Sequence, residues 1–210
     1  MSADKGADFA LVGVGKAYGS VCVLAGASAT FTGGRAHVIC GPSGAGKTTL
    51  LRLLLGLEAP DAGSVARPRG ARLAATFQED RLCDNLTATA NVRLPHAHLR
   101  GDQKASFLAR ERQALESVGL TVDARPVREL SGGQRRRVAL LRCVLADADA
   151  LFLDEPLRGM DEATVERTMA YVAPLLAGRS VFWVTHDERE RRWLSGCEDW
   201  RVEEGLVRRA

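Results

Sequence analysis

Residues 41–48 read Gly-Pro-Ser-Gly-Ala-Gly-Lys-Thr, matching G-x-x-x-x-G-K-[ST] at every specified position. No other stretch restricts the fold as much, because this pattern works as a tight turn between a strand and a helix. The glycines let the backbone wrap an anion with its amide hydrogens pointing inward. An apolar run from Ala36 to Cys40 leads in and is expected to be a strand. Thr49 to Leu57 leads out as a helix, whose N-terminal dipole favours a phosphate. Gly41, Pro42, Ser43, Gly44, Ala45, Gly46, Lys47, Thr48 and Thr49 are therefore expected to hold a nucleoside triphosphate. Lys47 would reach the β- and γ-phosphates, and the Thr48 hydroxyl would sit on Mg²⁺. A Gly-rich turn with a stray lysine is the plainer account, and it leaves the flanking strand and helix unexplained.

The chain has 210 residues, enough to bury a sizeable core, and one α/β domain with an elaboration fits better than two domains. A net charge of +3 is small for this length and does not by itself argue for nucleic acid. No apolar run approaches the roughly eighteen residues a membrane span needs. The richest, Leu50 to Leu57, is broken by Arg52 and followed by Pro60. The N-terminal MSADKGADF has neither an apolar centre nor a cleavage pattern for export. The five cysteines, at 22, 40, 83, 143 and 197, form no C-x-x-C pair. Cys40 and Cys143 fall in apolar segments, so reduced, packed thiols and a cytosolic compartment are expected.

Short apolar segments alternate with helical ones. Strands are expected at Phe9–Val14, Ala36–Cys40, Leu73–Phe77, Ala150–Asp154 and Val181–Thr185. The last two are nearly continuous in apolar residues, as strands covered on both faces are. The alternation predicts an α/β fold with a mainly parallel sheet, whose ligands sit at the C-terminal strand ends. Gln103 to Val118 is helix-forming, with Phe107, Leu108, Leu115 and Val118 spaced for one face. It predicts a helical subdomain over about 84–130, inserted in a core of about 9–83 and 131–195.

Residues 130–134 read Leu-Ser-Gly-Gly-Gln and open an amphipathic helix through Val138, Leu141 and Leu145. Ser131 as N-cap with Gln134 three residues on makes a capping box. The glycines between them weaken a helix start by up to about 1 kcal/mol each relative to Ala. They also leave bare amides at the positive helix end, where a phosphate can approach. A second anion site in a chain with one P-loop suggests that two copies share nucleotides.

With LSGGQ downstream of the P-loop, the chain resembles the ATP-binding cassette (ABC) family over about residues 9–195. The resemblance implies a P-loop NTPase-like core with an N-terminal antiparallel β portion. Ala150-Leu-Phe-Leu-Asp-Glu-Pro156 looks like its Walker B segment. A buried strand would carry Asp154 to its C-terminal end as a Mg²⁺ ligand, with Thr48 and Gln78. Glu155, the next residue, is expected to point elsewhere because strand side chains alternate. The resemblance makes Glu155 the group that polarises the attacking water, and His186 the contact to the γ-phosphate. It makes Tyr18 an adenine-stacking ring, though a surface turn tyrosine is the competing reading. Ser131, Gly132, Gly133 and Gln134 would hold the ATP of a partner subunit, and Asp161 would lie in the dimer-interface loop. Arg158 departs from the family there, replacing a small polar residue and leaving inter-subunit communication open. The triplet Arg135-Arg136-Arg137 reads as a solvated or interface face of the signature helix, and no nucleic-acid role is expected.

The implied activity is ATP hydrolysis in a head-to-tail dimer, each nucleotide lying between residues 41–48 of one subunit and the signature of the other. The implied partners are a second ATPase subunit, an integral membrane permease and an extracytoplasmic solute-binding protein. The implied place is peripheral, on the cytoplasmic face of the membrane. Phe77-Gln-Glu-Asp-Arg-Leu82, Leu86-Thr87 and Asn91-Val-Arg-Leu-Pro95 look most like importers of the nitrate, sulfonate and taurine branch. An exporter or lipoprotein-release ATPase is the alternative, and a soluble, non-transport ABC ATPase a more distant one. The end near residue 210 is read as leaving no room for the extra regulatory domain of some importer ATPases.

Overall fold

The computed structural model describes residues 8–210. Residues 1–7, most of the stretch read as carrying no export signal, lie outside the described residues. In chain order the strands and helices are β1 (Phe9–Tyr18), β2 (Val21–Phe31), β3 (Ala36–Cys40), α1 (Lys47–Leu55), β4 (Ala62–Ala66), β5 (Leu73–Thr76), α2 (Ala88–Arg93), α3 (Gly101–Ser117), α4 (Gly132–Val144), β6 (Ala150–Asp154), α5 (Glu162–Leu176), β7 (Ser180–Val184), β8 (Glu198–Glu203) and β9 (Leu206–Arg209). They fall into two compact units. The first comprises the described residues up to Leu73 with Ala148–Glu155 and Ala177–Ala210, and the second Ala74–Asp147 with Pro156–Leu176.

In the first unit β3, β6, β7 and β8 are parallel, in the order β6-β7-β3-β8, and β9 adds antiparallel to β8. Every residue of β6 (ALFLD) and β7 (SVFWV) is buried, which is why these segments read as nearly continuous apolar runs. A separate antiparallel sheet, β2-β1-β4, supplies the N-terminal portion. Phe9 and Phe31 from that sheet pack edge-on to Phe182 of β7, which stacks on Phe152 of β6 at 4.6 Å between centroids. The first strand runs to Tyr18 rather than Val14, carried past the expected end by bulges around Gly13. β2 was not anticipated at all. The small-residue run Ala25-Gly-Ala-Ser-Ala29 at its centre has little intrinsic strand preference and is held by pairing with β1.

The second unit is helical. Phe107, Leu115 and Val118 are buried as their spacing predicts, Leu108 is half-buried, and Glu111 is buried with them, paired to Arg93 at 2.6 Å. Asn91 of α2 is fully buried and donates to the carbonyls of Cys83, Leu86 and Thr87 while accepting from the Cys83 amide. Of the solvated or interface face expected for the arginine triplet, the solvated reading does not hold. Arg135 donates to the Val127 carbonyl and to Asp84, Arg136 is 7% exposed, and Arg137 donates to the carbonyls of Gly133 and Val118. Long guanidinium stems let charged side chains turn back onto loop carbonyls that no helix or strand ladder satisfies.

Candidate nucleotide site

The loop between β3 and α1 is shaped by close approach. At Gly41 a Cβ would run into the Val202 carbonyl of β8, so no side chain fits. Gly46, the N-cap of α1, has φ 99°, and a Cβ there would lie 2.6 Å from a Val23 methyl. Helix α1 starts at Lys47, two residues before the expected Thr49, so Lys47 and Thr48 project from its first turn. The Lys47 ammonium donates to the carbonyls of Gly41 (2.8 Å) and Pro42 (2.7 Å). These bonds hold the amine over the loop and leave it a third donor.

Two oxygen ligands suited to a hard cation meet behind this loop. The Thr48 hydroxyl donates to a carboxylate oxygen of Asp154 at 2.7 Å, and Asp154, last residue of β6, is buried. A buried carboxylate against a helix-borne hydroxyl is a donor pair that Mg²⁺ can use. Glu155 follows, and alternation along a strand is not what aims it. The strand has ended, and Glu155 takes φ 48° with its amide donating to the Val184 carbonyl at 2.9 Å. A left-handed glutamate costs of order 1 kcal/mol or more, a strain found most often where a side chain must be presented. Its carboxylate lies 3.4 Å from Nδ1 of His186, an exposed ring just past β7.

The histidine's neighbours are arranged around it. The Arg189 guanidinium and amide hold Asp187 down to about 2, so this carboxylate stays ionised, is engaged by Arg189, and is no candidate base. Glu190 accepts from the indole N–H of Trp183 at 2.7 Å, and burial pushes its carboxyl up. The Thr185 hydroxyl accepts from the Asp187 amide, which fixes the turn carrying His186. Glu190 was missed by sequence reasoning. A glutamate four residues past a histidine looks like any surface acid until the buried Trp183 is seen beneath it. Tyr18 ends β1, 45% exposed, its hydroxyl donating to the Glu58 carboxylate and its ring 5.5 Å from the Lys16 ammonium.

The other expected residues lie in the second unit. Ser131 caps α4 reciprocally: its hydroxyl accepts from the Gln134 amide at 3.3 Å, and the Gln134 side chain accepts from the Ser131 amide at 2.9 Å. A Cβ on Gly132 would meet nothing within 4 Å, so the positive end of α4 is open on that side. Asp161 precedes α5 and accepts from the amide and hydroxyl of Thr164, which hold its carboxyl below the usual range. Gln78 is exposed just beyond β5. Arg136 and Arg142 of α4, which no apolar periodicity could flag, donate to the carbonyls around it.

The architecture is that of a P-loop protein, with the loop at the C-terminal end of a central parallel strand. Residues 24–158 match the family model described as ABC transporter. The chain is 41% identical to the taurine import ATP-binding protein TauB of Pseudomonas aeruginosa, over 77% of this chain and 65% of that protein. It is 40% identical to the aliphatic sulfonates import ATP-binding protein SsuB 3 of Rhodococcus jostii, over 86% and 66%. With SsuB 1 of the same organism it is 37% identical over 94% and 80%. Among solved structures it is similar to the dimeric post-hydrolysis state of the ATP-binding cassette MJ0796 bound to ADP and Pi. There the TM-score is 0.83 at 27% identity, over 96% of this chain and 97% of that one. This chain belongs to the ABC transporter family. It spans just under two thirds of the length of the first two curated relatives. Among the described residues, no helix is long and apolar enough to cross a membrane.

Proposed function

We propose that the chain is the ATP-binding and ATP-hydrolysing subunit of an ABC importer, a single cassette with its helical subdomain near 84–130. The observation that carries this is the Thr48–Asp154 hydrogen bond behind the P-loop, with strained Glu155 next in the chain and 3.4 Å from His186. Phosphoryl transfer needs little covalent help from a protein; positioning and charge stabilisation do most of the work. The amides of residues 43–48 and the Lys47 ammonium would bind the phosphates. Thr48, Asp154 and Gln78 would hold Mg²⁺, which when bound neutralises charge on the phosphate oxygens. Glu155 would accept a proton from the attacking water, and His186 would orient the γ-phosphate. Tyr18 would stack on the adenine.

The open N-terminus of α4 favours a head-to-tail dimer, in which Ser131 to Gln134 close on the partner's nucleotide and Asp161 lies in the interface loop. The names of the relatives favour import of a taurine- or sulfonate-like solute. That would require a membrane permease and an extracytoplasmic solute-binding protein, with this chain on the cytoplasmic face.

Glu155→Gln tests the chemistry. It should leave ATP binding intact and lower turnover by roughly 10²–10⁴-fold, the range for losing a general base. In sedimentation, ATP should then drive this variant into a dimer. Near-normal phosphate release, or monomers at saturating ATP, would sink the reading.

A further inference from the structure

The segment from Phe77 to Asp84, which carries Gln78, has no regular structure, so its carbonyls need donors from elsewhere. Helix α4 supplies them. Arg136 donates through one terminal nitrogen to the Phe77 carbonyl at 2.7 Å and through the other to the Gln78 carbonyl. The same guanidinium lies 3.2 Å from the Asp80 carboxylate. Arg142 donates to the carbonyls of Arg81 at 2.9 Å and Asp80 at 3.0 Å. Arg135 reaches the far end, donating to Asp84 at 2.8 Å. The loop is also turned sharply, with Arg81 at φ 47°.

Two guanidinium forks thus satisfy four carbonyls on a segment of five residues, 77–81, and both forks stand on the helix that opens with Ser131. We infer that Arg136 and Arg142 are positioning residues that lock the Gln78 loop to the signature helix, so that Gln78 and Ser131–Gln134 shift as one body. This rests on the functional reading above, in which Gln78 serves the chain's own nucleotide and Ser131–Gln134 the partner's. A rigid link between them would make capture of the two nucleotides cooperative, because any shift of Gln78 would carry the signature with it. A lysine cannot replace either fork, because a single ammonium on a flexible stem does not span two carbonyls in fixed geometry.

The test compares Arg136→Lys with the parent, both in the Glu155→Gln background. Three quantities are read: hydrogen exchange of residues 77–84, ADP affinity, and the ATP concentration for half-maximal dimerisation in sedimentation. Exchange at 77–84 should accelerate with the P-loop amides unchanged, and ADP affinity should stay within about two-fold. The ATP needed for closure should rise about five-fold or more, the low end of ordinary coupling between sites. Unchanged exchange at 77–84 refutes the clamp, and faster exchange with unchanged closure refutes the coupling. If Arg136→Lys does not fold, Arg142→Lys is read by the same outcomes. A parent that fails to close with ATP overturns the functional reading and the coupling with it, whereas the exchange comparison still decides the clamp.

Discussion

Lys47 shows how a single side chain can be placed by its own loop. Its ammonium is held by the carbonyls of Gly41 and Pro42, the backbone whose amides would face the phosphates. Truncating it removes the charge that offsets phosphate and leaves two loop carbonyls without that donor. Lys47→Ala should therefore abolish tight nucleotide binding with little change in thermal stability. A titration giving an affinity within a few-fold of the parent would count against the assigned role. Glu155 makes a related point by a different route. Its identity was legible in the sequence, but its direction was not, because a left-handed backbone at φ 48° aims it where strand alternation was expected to.

Among the elements, α4 combines the most legible feature of the chain with the least. The Ser131–Gln134 capping box could be read from spacing alone, and both of its hydrogen bonds are present. Replacing Ser131 with Ala should cost about 1 kcal/mol of stability, the usual worth of such a cap. Chemical denaturation would measure it, and a loss near zero would mean that the cap contributes nothing beyond the bare amides. Of the solvated or interface face expected for Arg135, Arg136 and Arg137, the solvated reading fails, since charge in a sequence signals exposure unless a partner is visible. Their partners, with those of Arg142, are carbonyls of the loops around 77–81, 118–119 and 127, scattered in sequence and gathered only by folding. Strand β2 was missed for the converse reason: its small residues say little until β1 lies beside them.

At the scale of the whole molecule, residues far apart in the chain meet around one buried ring in the first unit. His37 of β3 is fully buried among Phe31, Phe182 and Trp200, its Nε2 3.0 Å from the Thr32 carbonyl. Trp200 donates to its Nδ1 at 3.3 Å, with Glu198 at 3.4 Å and Arg209 beyond it. Burial pushes the His37 pKa below its ordinary 6.5, against the smaller raising effects of Thr32 and Glu198. The folded protein then binds fewer protons than the unfolded chain once pH falls through about 6.5, so stability present above that value is lost below it. His96 of the second unit is shifted the same way, also mainly by burial. The melting temperature should drop between pH 7.5 and 5.5, and His37→Gln should make that drop smaller. An unchanged slope in the variant would show that His37 does not carry it.

By itself, the sequence determined the P-loop with its strand and helix, the capped signature, and the buried β6 and β7. Each of these is a local pattern whose residue types and spacing have one good physical solution. The tertiary structure alone decided where charged side chains go when their partners are distant. It set Asp154 against Thr48, turned Glu155 toward His186, and folded Arg136 and Arg142 onto the Gln78 loop. A buried charge or an unpaired carbonyl is satisfied by whatever the fold brings near, and sequence distance carries no record of that.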